Sequence, residues 1–216
     1  SGNIIEIKAW VYTLYANFLS NLGKLKEAEI EANFALNFIN NYHSATIQLA
    51  EISRQKEDWN NIITLLKPIN DKNPRTDLSI RLAQAYKELN NEKEFNDLLS
   101  KTEKQLLQEQ SSGSFGHVRD YIKLLLMKKD PKSLKLALAK VEEEKKIRKD
   151  FDTLLISAET EIYNNQLYLA EKDLNLLISS HINNSKLFYL YGLLLEKKDK
   201  TQFNNQIKKY YTLAIK

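Results

Sequence analysis

The sequence predicts an all-α chain, and three observations point that way. Only 5 glycines and 3 prolines punctuate 216 residues, whereas a β-sandwich or a doubly wound sheet needs many more turn residues. Apolar side chains recur at helical spacing: Ile62, Ile63, Leu66 and Ile69 fall at i, i+1, i+4 and i+7, and Leu167, Ala170, Leu174 and Leu177 mark a second stripe. The third is an internal period. Ala16, Ala50 and Ala83 lie 34 and then 33 residues apart by subtraction, and Ala158 and Gly192 again 34 apart. A steady period of that size marks a supersecondary unit that buries its apolar face only by stacking on its neighbours.

A second series trails the first by about a dozen residues: Ala28, Ile62, Phe95, Ala137, Ala170 and Phe203. A small residue in one helix lets the next approach closely, and the trailing residue fills the matching hole. Gly23 falls in the tight turn between paired helices, where a positive φ costs little; Asn90 and Asp199 are expected to do the same job less cheaply. Pro74 follows a second helix that it cannot extend. Asp130-Pro131 reads as an N-cap followed by proline at the first helical position. Six units result, at 9–42, 43–75, 76–117, 118–150, 151–184 and 185–216. The fourth is degenerate, with Leu124-Leu125 where a small residue is expected, and is carried mainly by "SLKLALAKV". Between Phe95 and Ala137 the step is 42 residues, and the excess coincides with "QEQSSGSFGH" (108–117), which contains Gly113 and Gly116. That stretch is expected to be a loop or hinge between N-terminal units (3–107) and C-terminal units (118–216). Ser1-Gly2 reads as a tag-cleavage scar.

Composition and motif searches exclude much chemistry. Hydrophobic residues make up 43% and charged residues 28%, a balance that is neither disordered nor membrane-spanning. With Cys at 0 there is no disulfide, zinc–thiolate site or thiol nucleophile. His43, His117 and His181 lie at or beside unit boundaries, lack metal-ligand spacing, and read as surface or capping groups. No phosphate-binding glycine loop or nucleophile elbow occurs. Glu159 and Glu161, two apart on a helix, point in different directions and cannot share a substrate. The run "KVEEEKKIRKD" (140–150) pairs Glu142 with Lys146 and Glu144 with Arg148 at i, i+4, and is expected to be a self-neutralising solvated face. Its acids cancel its bases, and the net charge of +4 is mild, so nucleic-acid binding is disfavoured. The expectation is a protein that is not an enzyme and needs no cofactor or metal.

The two-series pattern in "LYANFLSNLGKLKEAEIEANFAL", "LAEISRQKEDWNNIITLLKPINDKNP", "LAQAYKELNNEKEF" and "LYGLLLEKKDKTQF" resembles the tetratricopeptide repeat (TPR) family. The resemblance implies an α-solenoid of about six helix-turn-helix repeats in a right-handed superhelix, with an insertion between repeats three and four. It also implies a concave groove, lined by the first helix of each repeat, that holds an extended peptide or a partner's helix. By register the groove residues are Trp10, Thr13, Asn17 and Asn21; Ile47, Glu51 and Arg54; Ile80, Gln84 and Lys87; then Ile122 and Leu126; Leu155, Glu159 and Ile162; and Tyr189, Leu193 and Glu196. The first half is rich in amides suited to a peptide backbone; the second is more apolar and suits an amphipathic partner or a second copy of the chain. Lys8 is followed four residues later by Tyr12, where chaperone-tail-binding repeats carry asparagine, so the resemblance does not extend to heat-shock-protein tails.

A finer resemblance, in "QKEDWNNIITLLKPI", "NNQLYLAEKDLNLLI" and "YLYGLLLE", is to the TPR portion of HemY-type bacterial inner-membrane proteins. It implies membrane attachment through segments outside this sequence. The function expected is a protein–protein interaction scaffold. The alternatives are a substrate-selecting domain of a larger enzyme, a membrane-anchored assembly factor and, last, an RNA-binding repeat protein.

Overall fold

The computed structural model describes residues 2–111, 118–182 and 184–215. Among those residues every regular element is an α-helix: α1 (Gly2–Asn21), α2 (Leu25–Phe38), α3 (His43–Gln55), α4 (Trp59–Lys72), α5 (Thr76–Glu88), α6 (Glu92–Ser111), α7 (Val118–Lys128), α8 (Pro131–Ile147), α9 (Phe151–Tyr163), α10 (Leu167–Ser179), α11 (Ser185–Asp199) and α12 (Asn204–Ile215). The all-α expectation holds. Two compact units form, Ser1–Gln105 and Leu106–Lys216, and the division falls inside α6. Of the expected loop, residues 108–111 are the last turn of α6, and 112–117, with Gly113, Gly116 and His117, lie outside the described residues.

In the first unit α1 packs on α2 and α3, α2 on α3, α3 on α4, and α4 on α5. Each seam has its own apolar cluster. Ala9, Ala35 and Ala45 meet under Tyr12, Phe38 and Tyr42; Ala16, Leu19, Ala28, Ala32, Leu49 and Ile52 form the next. Ala50, Ile62, Leu66, Leu78, Leu82 and Ala85 close the unit, with Leu98 of α6 against them. In the second unit α7 packs on α8 and α9, α8 on α9, α9 on α10 and α11, α10 on α11, and α11 on α12. A cluster of Leu154, Leu155, Ala158, Ile162, Ala170, Leu174, Leu177, Leu187, Leu190 and Leu194 runs through α9, α10 and α11.

The small-residue series lies where close packing requires it. Ala16, Ala50, Ala83 and Ala158 are buried, as are Ala28, Ile62, Phe95, Ala137 and Ala170 of the trailing series. At Gly192 a Cβ would lie 2.7 Å from Cε1 of Tyr211 on α12, so any side chain there would displace the Tyr211 ring. In the degenerate unit Leu124 and Leu125 are both fully buried.

The turns show why few glycines suffice. After α1 the Gly23 N–H donates to the Ser20 carbonyl at 3.0 Å and the Lys24 N–H to the Leu19 carbonyl at 3.0 Å. That pair of bonds closes a Schellman motif around a left-handed residue. The closure recurs after α3, α5 and α9: Glu57 and Asp58 donate to Arg54 and Ser53, Asn90 and Asn91 to Lys87 and Tyr86, Asn165 and Gln166 to Ile162 and Glu161. Gly23 has φ 74, but Glu57 (φ 58), Asn90 (φ 56), Lys129 (φ 57) and Asn165 (φ 60) adopt the same region with a Cβ. Asp199 does not join them. It is the last residue of α11, and its carboxylate accepts the N–H groups of Thr201 and Gln202 at 2.9 Å, so its role is a side-chain turn rather than a left-handed stop. Helix starts are carried by Asp58, Asp130, Asp150 and Asn184, each accepting a backbone N–H from the first turn, with Pro131 opening α8. Pro68 lies inside α4 on its exposed side, where the missing donor frees a carbonyl near solvent.

Two turn substitutions should move stability in opposite directions. Gly23→Ala is expected to cost about 1 kcal/mol, and Glu57→Gly, at an exposed position, to add about 0.5 kcal/mol. Urea unfolding midpoints check both, and equal shifts of one sign would remove the left-handed stop as the cause.

Candidate functional site

Three helices of the first unit, α1, α3 and α5, bring most of the expected groove residues onto neighbouring helices. Trp10, Thr13, Asn17 and Asn21 run along α1; Trp10 and both asparagines are exposed, and the Thr13 hydroxyl donates to the Ala9 carbonyl at 2.8 Å. The Asn21 amide donates to Asn17 Oδ1 at 3.1 Å, and Asn17 Nδ2 donates to Gln48 Oε1 of α3 at 3.0 Å. Gln48 is 6% exposed and its Nε2 has no acceptor. A buried amide donor without a partner costs about 1–3 kcal/mol, a cost that falls on the packing of α1 against α3.

One turn along α3, Glu51 is held between two guanidiniums. Its Oε1 accepts from Arg54 Nε at 2.8 Å and Nη2 at 2.6 Å, and its Oε2 accepts from Arg81 Nη1 of α5 at 2.6 Å. Burial alone would raise the Glu51 carboxyl, but Arg54 and then Arg81 outweigh it and hold it below the usual carboxylate range. The cluster is therefore ionised at neutral pH and carries one surplus positive charge. Beside it a shallow depression with room for about one water, ≈ 10 Å³, is lined by Ala50, Arg54, Ile62, Leu66, Arg81 and Gln84. That is far below the range of about 300–1,000 Å³ for small-molecule sites, so the cluster offers a surface contact rather than a cavity. Ile47 and Ile80 are half-buried; Lys87 holds its ammonium 5.4 Å from the Phe95 ring centroid.

Sequence register missed Gln48 and Arg81. Partners across adjacent first helices lie 31 residues apart for Asn17–Gln48 and 30 for Glu51–Arg81, one helical turn short of the 34-residue period. A search for complementary pairs at that shorter spacing would have found them.

The second unit departs from expectation. Leu155, Ile122, Leu126 and Ile162, expected to face a groove, are buried, with Leu155 and Ile162 inside the α9–α11 core. Their apolar character serves packing against neighbouring helices. Leu193 is half-buried against the same core, and Tyr189 remains exposed with its ring 5.9 Å from Tyr211. Glu196 accepts from the Tyr211 hydroxyl at 2.9 Å. Glu159 and Glu161 do diverge: Glu159 pairs outward with Lys186 at 2.5 Å, while Glu161 turns inward.

The run 140–150 is not simply a solvated face. Glu144 is 1% exposed and paired with Arg148 at 2.7 Å, and Lys145 bridges Glu161 at 3.2 Å and Asp173 at 2.6 Å. Ser157 donates to Glu161 at 3.0 Å. Burial first, and then the Asp173 charge, push the Glu161 carboxyl above its ordinary range despite Lys145. Buried carboxylates beside a lysine and a serine can suggest catalysis, but each polar group here faces another helix rather than a cleft, and the network ties α8, α9 and α10 together.

Among the described residues no group of three or more histidine, aspartate or glutamate side chains could hold a metal ion, and no helix is long and apolar enough to cross a membrane. His43 opens α3 and His181 adopts φ 58 in the turn before α11, both exposed. Compared with known proteins, the chain matches no protein-family model and no curated protein. The geometry of the α3–α5 cluster thus carries the functional reading.

The raised Glu161 carboxyl gives a signed prediction. A carboxyl whose folded value lies above the unfolded one loses stability as pH rises past the ordinary value of 4.5. Glu161→Gln should therefore stabilise near neutral pH, by about 1 kcal/mol, with the advantage fading as pH falls towards 4.5 and absent below it. Lys145→Met, which leaves two carboxylates without their cation, should cost about 3 kcal/mol. Thermal melts across pH check both, and a Glu161→Gln advantage that grows on acidification would reverse the sign.

Proposed function

We propose that this chain is a helical-repeat interaction module of tetratricopeptide type that binds an extended acidic peptide across α1, α3 and α5. The carrying observation is the Arg54–Glu51–Arg81 cluster, in which one carboxylate is clamped by two guanidiniums with donors to spare. A guanidinium presents five donors; Arg54 spends two on Glu51 and Arg81 one. An aspartate, glutamate or terminal carboxylate from a partner takes the remainder beside the half-buried Gln84. The exposed amides of Asn17 and Asn21, one helix over on α1, meet the peptide backbone. Glu51 keeps the two arginines apart and in place before the ligand arrives, which lowers the ordering cost of binding. Trp10, exposed on the same stretch of α1, offers a flat apolar surface to a neighbouring peptide residue. The module is a scaffold rather than a catalyst, and supplies a partner's address to whatever complex it joins.

Charge reversal at Arg54 combined with Asn17→Ala is expected to weaken binding of an acidic peptide by about 10-fold or more, and to lower the melting temperature by a few degrees, because Glu51 loses a guanidinium and Gln48 its amide partner. The measurement is fluorescence anisotropy with matched peptides carrying Asp and Glu or Asn and Gln at the same positions. Equal affinity for the two peptide sets, or for wild type and the double variant, would remove the arginine pair from the site.

A further inference from the structure

The face of α1 that packs on α2 and α3 carries Ala9, Ala16 and Leu19. The opposite face is apolar too. Ile4, Ile7, Val11, Leu14 and Phe18 follow one another at alternating steps of three and four residues, joined by Tyr15 and Leu22. Each of the seven is between 48% and 62% exposed. Alternation of three and four is the spacing of a coiled-coil seam, whose knobs fit the holes of a like helix. Trp10, Thr13, Asn17 and Asn21 run along a different face, so the peptide-binding residues are not part of this stripe.

We propose that the α1 stripe is the contact between two copies of this chain. Seven large side chains, each half exposed at about 100 Å², present roughly 700 Å². Ile30 and Phe34 of α2, 54% and 46% exposed with Phe34 ring-to-ring with Tyr12 at 5.8 Å, widen it to about 900 Å². That exceeds the roughly 300–600 Å² of the largest apolar patch on an ordinary monomer and reaches the roughly 800 Å² per partner of a stable interface. The only charges on α1 are Glu6 and Lys8, and the Lys8 ammonium is drawn over the Phe38 ring at 5.6 Å. A face without charge selects no oppositely charged partner, and one lysine is too few to hold the helix on an anionic lipid surface. It is complementary to itself, as a two-fold interface requires.

The chain has no cysteine, which makes the test clean. Sedimentation of the wild type over about 1–100 µM is expected to show a dimer. Val11→Glu with Phe18→Glu should raise its dissociation constant by about 100-fold or more while leaving helicity unchanged. Val11→Cys should form a covalent dimer on mild oxidation, and Lys172→Cys, exposed on α10, should not. A wild-type monomer throughout that range overturns the proposal and leaves the stripe to a partner of different sequence. A dimer that survives the double substitution, or equal cross-linking at both cysteines, overturns it as well.

Discussion

Two helices can cover one another's apolar edges only if their backbones come close, and in this chain closeness is set by a small residue at one recurring place. Ala16, Ala50, Ala83 and Ala158 occupy it with no room to spare, and Gly192 occupies it where even a methyl group would meet the Tyr211 ring. Much follows from that approach. Helices held so near are joined by short turns, and after α1, α3, α5 and α9 the turn is a left-handed residue closed by paired backbone bonds. Neighbouring first helices then lie close enough for side chains to meet across them. Asn17 reaches Gln48 between helices in direct contact, and Glu51 reaches Arg81 through the length of the arginine side chain.

The parts of the molecule that were legible in the sequence are those where one position has one physical requirement. A close approach demands a small residue, a left-handed stop favours glycine or asparagine, and a helix start favours aspartate before proline. Ala50, Gly23 and Asp130-Pro131 could therefore be read singly. Burial of a face could not, because a helix within a stack has more than one neighbour and the period gives a residue's register without saying which neighbour covers it. Leu155 and Ile162 look like groove residues by register and are core residues by contact. Glu144 and Lys145 fail for a related reason: a charge-rich run suggests water until α9 and α10 supply partners that surround it. Gln48 and Arg81 were invisible because their partners lie one turn short of the period, a diagonal that aligned repeats do not display.

Glu51 and Glu161 show how one residue type is put to two uses. Each is largely removed from water, and in each case burial opposes ionisation. Around Glu51 two arginines exceed that opposition, so the charge is held and the surplus is positive and partly exposed. Around Glu161 one lysine is divided between two carboxylates, so the surplus is negative and enclosed. A partner can exploit the first imbalance because solvent, and therefore ligand, reaches it. The second is shut between helices, where its consequence is confined to the stability of the unit.

The two proposed surfaces share α1 and constrain each other. The stripe ending at Leu22 and the line through Trp10, Asn17 and Asn21 occupy different faces of one helix, so a contact between copies leaves the amides in place. Rigid support of α1 by a second copy would also hold Asn17 against Gln48, which matters because a helix packed on one side only is where local opening begins. A dimer joined there carries two arginine pairs. A partner with two acidic segments then meets its second site at a concentration set by the span between them rather than by the bulk. Modest affinity at each cluster is sufficient under those conditions, which fits a shallow site whose strongest contacts are two partly exposed guanidiniums.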